Sequence, residues 1–149
     1  MIATVILVAI TIAISISAAY WMSGISGQYS GFEKVEIPTA YCTLTPGVNN
    51  SKWGLYLSLK NSGSNPTRII YVMVNNVVVS EYNISAGGSL SDTGSIGTSL
   101  SENGLAIDSG ETVNVYVWIG EDRFSSGTSV SVHLHSISGI DYVKLLMLL

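Results

Sequence analysis

The first 32 residues carry no charged side chain, and this segment constrains the fold of the chain more than any other. Residues 1–22 read MIATVILVAITIAISISAAYWM, an apolar run whose polar groups are mainly serine and threonine hydroxyls. At 1.5 Å per residue a helix of this length is about 33 Å long, close to the roughly 30 Å hydrocarbon thickness of a bilayer. Away from water, a lone segment satisfies its own backbone only as a helix. The sequence therefore predicts a helix that lies in lipid or inside a protein assembly.

Three interpretations of this helix differ in what surrounds it. A secretory signal peptide has a basic region before its apolar core, and none precedes Ile2, although Ser17, Ala18 and Ala19 are small enough for a cleavage site. A permanent membrane anchor usually has flanking Lys or Arg, and the first such residue here is Lys34. The third interpretation, which we favour, is a mature subunit whose basic leader has been removed and whose helix is buried in a protein assembly.

Small side chains recur every fourth residue along the predicted helix. One row contains Thr11, Ser15, Ala19, Ser23, Gly27 and Gly31, and the other contains Ala9, Ala13 and Ser17. Such rows let helix backbones approach closely, while larger residues fill the grooves between them. Small residues are also common in membrane helices generally, so the pattern alone does not distinguish lipid from protein surroundings. We predict an assembly surface formed by Ile6, Ala9, Ile10, Ala13, Ile14, Ser17, Ala19 and Tyr20.

The helix is predicted to give way to a second region between residues 27 and 38. Three glycines between residues 24 and 31 make this stretch pliable, because each glycine destabilises a helix by about 1 kcal/mol relative to alanine. Pro38 then disfavours helical geometry at Ile37. We predict an apolar helix over 1–30, a linker over 31–39 and a β domain over 40–149.

From residue 40 onward apolar and polar residues alternate with the period of a β-strand. The residues predicted to face a core are Trp53, Leu55, Leu57, Leu59, Val113, Val115, Val117, Ile119, Val130, Val132 and Leu134. Asn75-Asn76 separates two further strand candidates, 68–74 and 77–82, and asparagine tolerates the positive φ of a tight hairpin. Residues 85–110 are rich in serine and glycine and predict loops with one or two short strands. The fold class is therefore α+β: a long apolar helix followed by an immunoglobulin-like antiparallel β-sandwich.

Two groups of apolar side chains lie on strand faces that would be polar in a sheet with only one buried face. In the last strand we expect Val143, Leu145, Met147 and Leu149 to point inward, which leaves Leu146 and Leu148 apolar on the other face. Tyr56, Tyr116 and Trp118 are likewise predicted to face outward. Exposed apolar surface of this extent marks either a contact site or a face covered by the first helix, and the sequence supports both equally.

Composition and spacing give no indication of catalysis or nucleic-acid binding. The net charge is −4 and the six Lys and Arg residues are scattered, so nothing attracts a phosphate backbone. His133 and His135 share a strand face, and Cys42 with Met147 invites comparison with a copper site, but such sites usually draw their ligands from one loop. The charged turn at 121–123 is expected to be solvated. We therefore predict no catalytic residues, no metal site and no cofactor, and a chain that is not an enzyme.

Two segments match the acceptor pattern for N-glycosylation. They are Asn49-Asn50-Ser51 and Asn83-Ile84-Ser85. Both fit an extracellular surface, although the pattern is frequent by chance in a serine-rich chain. Asn49 and Asn83 are therefore candidate glycan acceptors.

An uncharged segment of the type IATVILVAITIAISIS, joined to an all-β domain, resembles the archaeal type IV pilin-like proteins, which include adhesive pilins and archaeal flagellar filament subunits. The resemblance is strong over residues 1–22 and architectural over 40–149. Val5 stands where bacterial pilins typically have glutamate. The resemblance implies a membrane-inserted precursor whose leader is cut by a prepilin peptidase, followed by extraction and helical stacking by an ATP-driven assembly machinery.

On this resemblance we expect a structural subunit of an extracellular archaeal type IV pilus, an adhesion filament. Copies of the chain would polymerise through their helices into a bundle core, with the β domains outside. The alternatives are a flagellar-type filament subunit and a membrane-anchored extracellular binding module.

Overall fold

The computed structural model of the chain describes residues 1–29, 31–44 and 47–149. The chain forms two compact units, residues 1–32 and residues 33–149. The first unit contains a single helix, α1 (Ile2–Tyr29). Thus Gly24 and Gly27 lie inside the helix.

The second unit is built from antiparallel strands in two sheets. The strands are β1 (Val35–Leu44), β2 (Ser51–Asn61), β3 (Thr67–Val74), β4 (Val77–Val78), β5 (Ile96–Thr98), β6 (Leu105–Ile107), β7 (Thr112–Gly120), β8 (Ser129–Ser136) and β9 (Asp141–Met147). One sheet has the order β1-β2-β7-β5 and the other β4-β3-β8-β9, with β6 also paired to β3. The predicted fold class, an apolar helix followed by antiparallel β structure, is confirmed.

The core lies between the two sheets, on the faces that the alternating pattern predicts. Trp53, Leu55, Leu57 and Leu59 of β2 are fully buried, as are Val130, Val132 and Leu134 of β8. On β7, Val115, Val117 and Ile119 are buried with them, while Val113 packs at the edge of the same cluster. Strands β2 and β7 pair with Leu55 opposite Val117, so their apolar side chains enter the core at one level.

The predicted hairpin turn forms, but its second arm is shorter than expected. Asn75 and Asn76 have φ angles of 49° and 64°, the positive values that a two-residue turn requires. Strand β4 ends at Val78, because the backbone N–H groups of Ser80 and Glu81 donate to Ile96 O. The chain therefore leaves one sheet after β4 and continues beside β5 of the other.

Strand β1 begins at Val35, inside the segment 31–39 for which we predict a linker. Pro38 lies within β1, where the pairing with β2 is irregular between Glu36 and Thr39. A proline lacks the N–H for a regular ladder, and it is tolerated on an edge strand at a bulge. Pro38 therefore disfavours a helix at this point but does not prevent the chain from forming strand β1.

The predicted inward face of the last strand is wrong. The four residues expected to be buried, Val143, Leu145, Met147 and Leu149, are all exposed, whereas Leu148 is fully buried and Leu146 packs against the core. Strand β9 pairs with β8 so that Leu146 lies opposite the buried Val130. Residues directly opposite in an antiparallel pair share a face, so this register selects the even-numbered side chains of β9 for the core.

The burial of Trp118 also differs from what its outward-facing position suggests. It lies on the outer face of its sheet, as predicted, but it is buried beneath a second small cluster formed with Val48, Leu90 and Ile84. Residues 85–90 belong to the serine- and glycine-rich region predicted to be loop with one or two short strands, and β5 and β6 are those strands. This loop covers part of the sheet and gives Trp118 its own packing.

Candidate assembly surfaces

Helix α1 is exposed and apolar around its whole circumference. Every residue from 1 to 24 is exposed. The span Ile2–Gly27 is long and apolar enough to cross a membrane, judged by length and composition alone. A helix with one polar face can lie on a protein surface, whereas a helix that is apolar all round needs apolar neighbours on every side. The geometry of α1 therefore fits lipid or the interior of a helical bundle.

Three hydroxyl groups in the middle of α1 are satisfied within the helix. Thr11 Oγ1 donates to Val8 O at 2.8 Å, Ser15 Oγ to Thr11 O at 2.7 Å, and Ser17 Oγ to Ala13 O at 2.8 Å. An unpaired hydroxyl costs free energy in an apolar medium, and a bond to the preceding turn removes that cost. These serine and threonine residues therefore behave as small side chains that lipid or other helices can contact.

The predicted assembly residues occupy mainly one side of α1. At about 100° per residue, all of them except Ala19 fall within an arc of roughly 140°. Ala19 lies outside this arc, on the row that also contains Thr11 and Ser15. The two rows of small residues, Ala9-Ala13-Ser17 and Thr11-Ser15-Ala19, are therefore on roughly opposite sides of the helix. This arrangement allows close neighbours on two sides at once, which an extended bundle requires and a simple helix pair does not.

Burial of α1 would be strongly favourable in water. Nine Val, Leu and Ile side chains between residues 2 and 16 are more than half exposed. Each contributes roughly 1.5 to 3 kcal/mol when it leaves water, so together they represent on the order of 20 kcal/mol. Transfer from lipid to a protein bundle gains much less, because lipid is equally apolar. A bundle of α1 helices surrounded by water would therefore hold its subunits tightly.

The outer face of the first sheet carries a row of aromatic side chains, the aromatic row, formed by Tyr41, Tyr56, Tyr116 and Trp118. Successive ring centroids lie 4.7, 5.2 and 5.9 Å apart. The first three residues are aligned because β1, β2 and β7 pair with Tyr41 opposite Tyr56 and Tyr56 opposite Tyr116. Sequence reasoning identified Tyr56, Tyr116 and Trp118 but missed Tyr41, whose place in the row depends on the β1–β2 register.

A cavity of about 360 Å³ lies where a loop crosses the aromatic row. Its lining includes Tyr116, Trp118 and Ser99 on the sheet and Asn83 with Ser85 on the loop. Glu81 holds this loop through Ser91, whose N–H lies 3.0 Å from Oε2 and whose hydroxyl donates to Oε1 at 2.7 Å. Partial burial raises the pKa of Glu81, but the hydrogen bonds from Ser91 and Ser95 outweigh it and hold the pKa below its usual value.

The junction between the two units is anchored at Glu33. Its Oε1 accepts a 2.6 Å hydrogen bond from Thr67 Oγ1 and a 3.2 Å bond from the hydroxyl of Tyr142. Burial and the neighbouring Glu33 carboxylate raise the pKa of Tyr142. Close by in sequence, Lys34 Nζ lies 2.7 Å from Glu36 Oε1, and this bond lowers the pKa of Glu36. The first charged residues of the chain thus belong to the β domain.

The two candidate glycan acceptors have different surroundings. Asn49 and Asn83 are both exposed. In the first pattern Ser51 is buried and its hydroxyl donates to Val48 O at 3.0 Å, whereas in the second Ser85 is exposed at the rim of the cavity. Asn83 has a φ of 58°, and its N–H and that of Ile84 donate to Leu100 O and Thr98 O. The hydroxyl of the acceptor pattern is therefore accessible only at Asn83.

The side chains considered for metal binding are not brought together. His135 Nδ1 lies 2.5 Å from Asp141 Oδ1, and His133 Nε2 lies 3.3 Å from Ser131 Oγ. Cys42 packs against the core from β1, in the other sheet, while Met147 is exposed on β9. Within residues 1–29, 31–44 and 47–149, no group of three or more His, Cys, Asp or Glu side chains is placed to hold a metal ion.

Comparison with known proteins gives similar solved structures, two of which are described here, and no family. No protein-family model matches the chain, and no curated protein matches it. Among solved structures it is similar to the archaellum periplasmic stator protein FlaG from Sulfolobus acidocaldarius, with a TM-score of 0.47 and 14% identity over 76% of this chain and 99% of that chain. The second is the stator complex of FlaF and FlaG from the same organism, with a TM-score of 0.45 and 14% identity over 76% of this chain and 89% of that chain.

Both neighbours are described as archaellum stator proteins and neither as a filament subunit. With TM-scores of 0.47 and 0.45, the similarities carry no functional argument. Membership of the pilin-like family therefore remains a prediction from residues 1–22.

Proposed function

We propose that this chain is a structural subunit of an extracellular archaeal type IV pilus, an adhesion filament without enzymatic activity. Copies would polymerise through α1, whose helices form the core, while the β domains form the outer layer. The observation that carries the proposal is the exposure of α1 around its whole circumference, with no polar face from residue 1 to residue 24. A helix of this kind is stable only when apolar neighbours enclose it.

The rows of small residues favour protein neighbours over lipid as the final surroundings. They lie on roughly opposite sides of α1, so each helix can receive a close neighbour on both sides. The self-satisfied hydroxyl groups of Thr11, Ser15 and Ser17 are compatible with lipid before assembly and with other helices afterwards.

In this proposal the chain is first a membrane-inserted precursor and finally a subunit of a filament outside the cell. A prepilin peptidase would process the membrane-inserted precursor, and the pilus assembly machinery would lift α1 out of the bilayer. External work is needed at this step, because exchanging lipid for protein contacts gains little free energy. The mature homo-oligomer would then be a cell-surface filament.

Electron microscopy of the native protein tests this proposal. Surface material sheared from cells that express the chain, and kept free of detergent, is expected to contain filaments of uniform diameter that an antibody against residues 33–149 decorates along their length. Monodisperse particles that require detergent, with α1 still in lipid, would contradict the proposal and favour the membrane-anchored binding module. Loss of swimming rather than of surface attachment in a deletion strain would instead assign the filament to the flagellar type.

A further inference from the structure

The cavity beside the aromatic row has walls of two chemical kinds. Tyr116 and Trp118 supply aromatic rings, while Asn83, Ser85 and Ser99 supply an amide and two hydroxyl groups. A second cavity of about 120 Å³ also meets Tyr116 and Trp118 and continues along the aromatic row. None of the described residues that line either cavity is charged. Such a lining suits a neutral ligand that has both apolar and hydroxyl-bearing surfaces.

A sugar residue has this combination of surfaces. One face of a pyranose ring consists of C–H groups, which pack on aromatic rings, whereas the edge of the ring carries hydroxyl groups that bond to amides and other hydroxyls. The volume of the larger cavity, about 360 Å³, is within the range of cavities that hold small ligands. The chemistry of the walls therefore favours a neutral saccharide.

Asn83 is both part of the cavity wall and the candidate glycan acceptor whose pattern has an accessible hydroxyl. Asn83 and Ser85 are exposed, and both line the cavity. A glycan attached to the Asn83 amide nitrogen would therefore begin at the cavity. Because it is tethered there, its first sugar residue would have a high effective concentration at the aromatic wall.

The backbone that carries Asn83 is fixed to the first sheet. Its N–H donates to Leu100 O at 2.8 Å, and the N–H of Ile84 donates to Thr98 O at 3.0 Å. The N–H of Thr98, the last residue of β5, donates in turn to Glu81 O at 2.9 Å. A glycan on Asn83 would therefore start from a defined position beside β5.

Tyr116 is the accessible aromatic wall. Its ring lies between those of Tyr56 and Trp118, with centroid distances of 5.2 and 5.9 Å, and its backbone N–H donates to Ser99 Oγ at 3.0 Å. The side chain is nonetheless 42% exposed, whereas Trp118 is only 3% exposed. A ring that is already held in place loses little conformational entropy when a ligand packs against it.

We infer that the first sugar residue of a glycan on Asn83 packs in this cavity against Tyr116. The glycan would then stabilise the β domain, since it removes apolar ring surface from water. The inference rests on the extracellular location that the proposed function includes, but not on filament formation. It applies equally to a pilus subunit, a flagellar-type subunit and an anchored module.

Hydroxyl-radical footprinting of the full chain, purified in detergent from its native cells, tests the inference. Oxidation of Tyr116, measured by mass spectrometry, is expected to be at least threefold slower in the glycosylated protein than in Ser85→Ala. This substitution removes the acceptor pattern and leaves Asn83 in place. Tyr71, on β3 of the other sheet, is the internal control and should be oxidised at the same rate in both proteins.

Two results of this experiment would overturn the inference. One is the absence of glycan from Asn83 in the native protein, and the other is an equal oxidation rate of Tyr116 although Asn83 carries glycan. The same two chains made in a bacterial host without N-glycosylation should show equal rates, which excludes an effect of Ser85 itself.

Thermal unfolding of the same proteins measures the stabilising effect. Ser85→Ala is expected to lower the Tm of protein from native cells by about 3 °C and to change it little in protein from the bacterial host. In a Tyr116→Ala background most of this shift should disappear, whereas a Tyr71→Ala background should retain it. A shift that Tyr116→Ala leaves intact would contradict packing against Tyr116.

An external saccharide is the alternative occupant of the cavity. Millimolar maltotriose added to Ser85→Ala is expected to give Tyr116 no protection, because an untethered sugar lacks the effective concentration of an attached one. Protection by maltotriose with none from the attached glycan would refute the inference and make the cavity a receptor site. Failure to form filaments would contradict the proposed function alone, since neither measurement depends on assembly.

Discussion

At the scale of single residues, side chains near Glu81 determine how the loop over the aromatic row is held. The Glu81 carboxylate accepts hydrogen bonds from the N–H and the hydroxyl of Ser91, while its own carbonyl accepts the N–H of Thr98. Gly97, beside it on β5, approaches the loop so closely that an added Cβ would lie 2.5 Å from Leu90 Cδ2. The Glu81 carboxylate and Gly97 therefore both contribute to holding the loop that buries Trp118, together with hydrogen bonds between Asn49, Asn50 and Leu90.

The lowered pKa of Glu81 makes its contribution dependent on pH. A carboxyl group whose pKa is lower in the folded state stabilises the fold above its unfolded pKa and loses that effect as the pH falls through the folded value. Glu81→Gln is expected to reduce the free energy of unfolding by about 1 kcal/mol at pH 7. Below the ordinary pKa of 4.5, the difference from wild type should shrink as the wild-type carboxyl is protonated.

Thermal or denaturant unfolding of the full chain in detergent, at pH 7 and at pH 3, measures this difference. Glu121→Gln, at an exposed acidic residue, is the matched control and should have little effect at either pH. An equal loss of stability from Glu81→Gln at both pH values would contradict the assignment of the effect to the ionised carboxylate.

The accessibility of Ser85 leads to a second prediction at this scale. We expect glycan on Asn83 and none on Asn49 in protein taken from its native cells, because the Ser51 hydroxyl is buried and already bonded to Val48 O. Intact-mass and peptide mass spectrometry should show a loss of mass in Asn83→Gln and in Ser85→Ala. Asn49→Gln is the control, and a glycan that disappears with it would reverse the assignment.

At the scale of elements, α1 and β9 illustrate two kinds of apolar surface. α1 is apolar on all sides and its environment must enclose it, whereas β9 buries one face in its own domain and exposes the other. The rows of small residues on α1 are the feature that makes enclosure by protein sterically favourable. Their spacing is visible in the sequence, and the helical geometry of Ile2–Tyr29 places them on opposite sides.

Enlarging a small residue in either row should impair assembly. Ala13→Leu and Ala19→Leu are each expected to reduce filament yield several-fold, because the added side chain separates backbones that pack closely. Ile12→Leu, which conserves volume in the same helix, is the control and should assemble normally. Negative-stain counts of filaments per cell measure the yield, and normal filaments from both alanine variants would show that the rows are not packing surfaces.

At the scale of the whole molecule, the division of the chain into residues 1–32 and 33–149 separates an uncharged apolar helix from a charged β domain. The first unit contains no charged side chain, and the second contains all sixteen, six basic and ten acidic. The second unit also has its own core between two sheets. Under the proposed function, the uncharged unit would associate with other copies and the charged unit would face water.

Removal of residues 1–32 is therefore expected to convert the chain into a soluble monomer. The core residues of both sheets remain, so the circular dichroism of the fragment should be that of a folded β domain. Light scattering coupled to size-exclusion chromatography measures its mass. A fragment that still polymerises would locate the main assembly interface in the β domain and contradict the proposed role of α1.

Much of this architecture is predictable from the sequence, because strong periodicity has one interpretation when only one face is apolar. The run 1–22 predicts a helix, and the alternation in 53–59 and 130–135 predicts which side chains are buried in β2 and β8. Strand β9 is different, since its odd positions and Leu146 with Leu148 are both apolar. Alternation alone could not choose a face there, and the pairing of Leu146 with Val130 made the choice.

The sequence by itself determined that the chain has an uncharged helix that water cannot surround and a β domain with one core, because charge and period are properties of consecutive residues. Only the tertiary structure decided that Trp118 is covered, that Tyr41 joins the aromatic row and that the odd-numbered side chains of β9 are exposed. These outcomes depend on the register between strands and on a loop that crosses a sheet, and residues far apart in the chain set both.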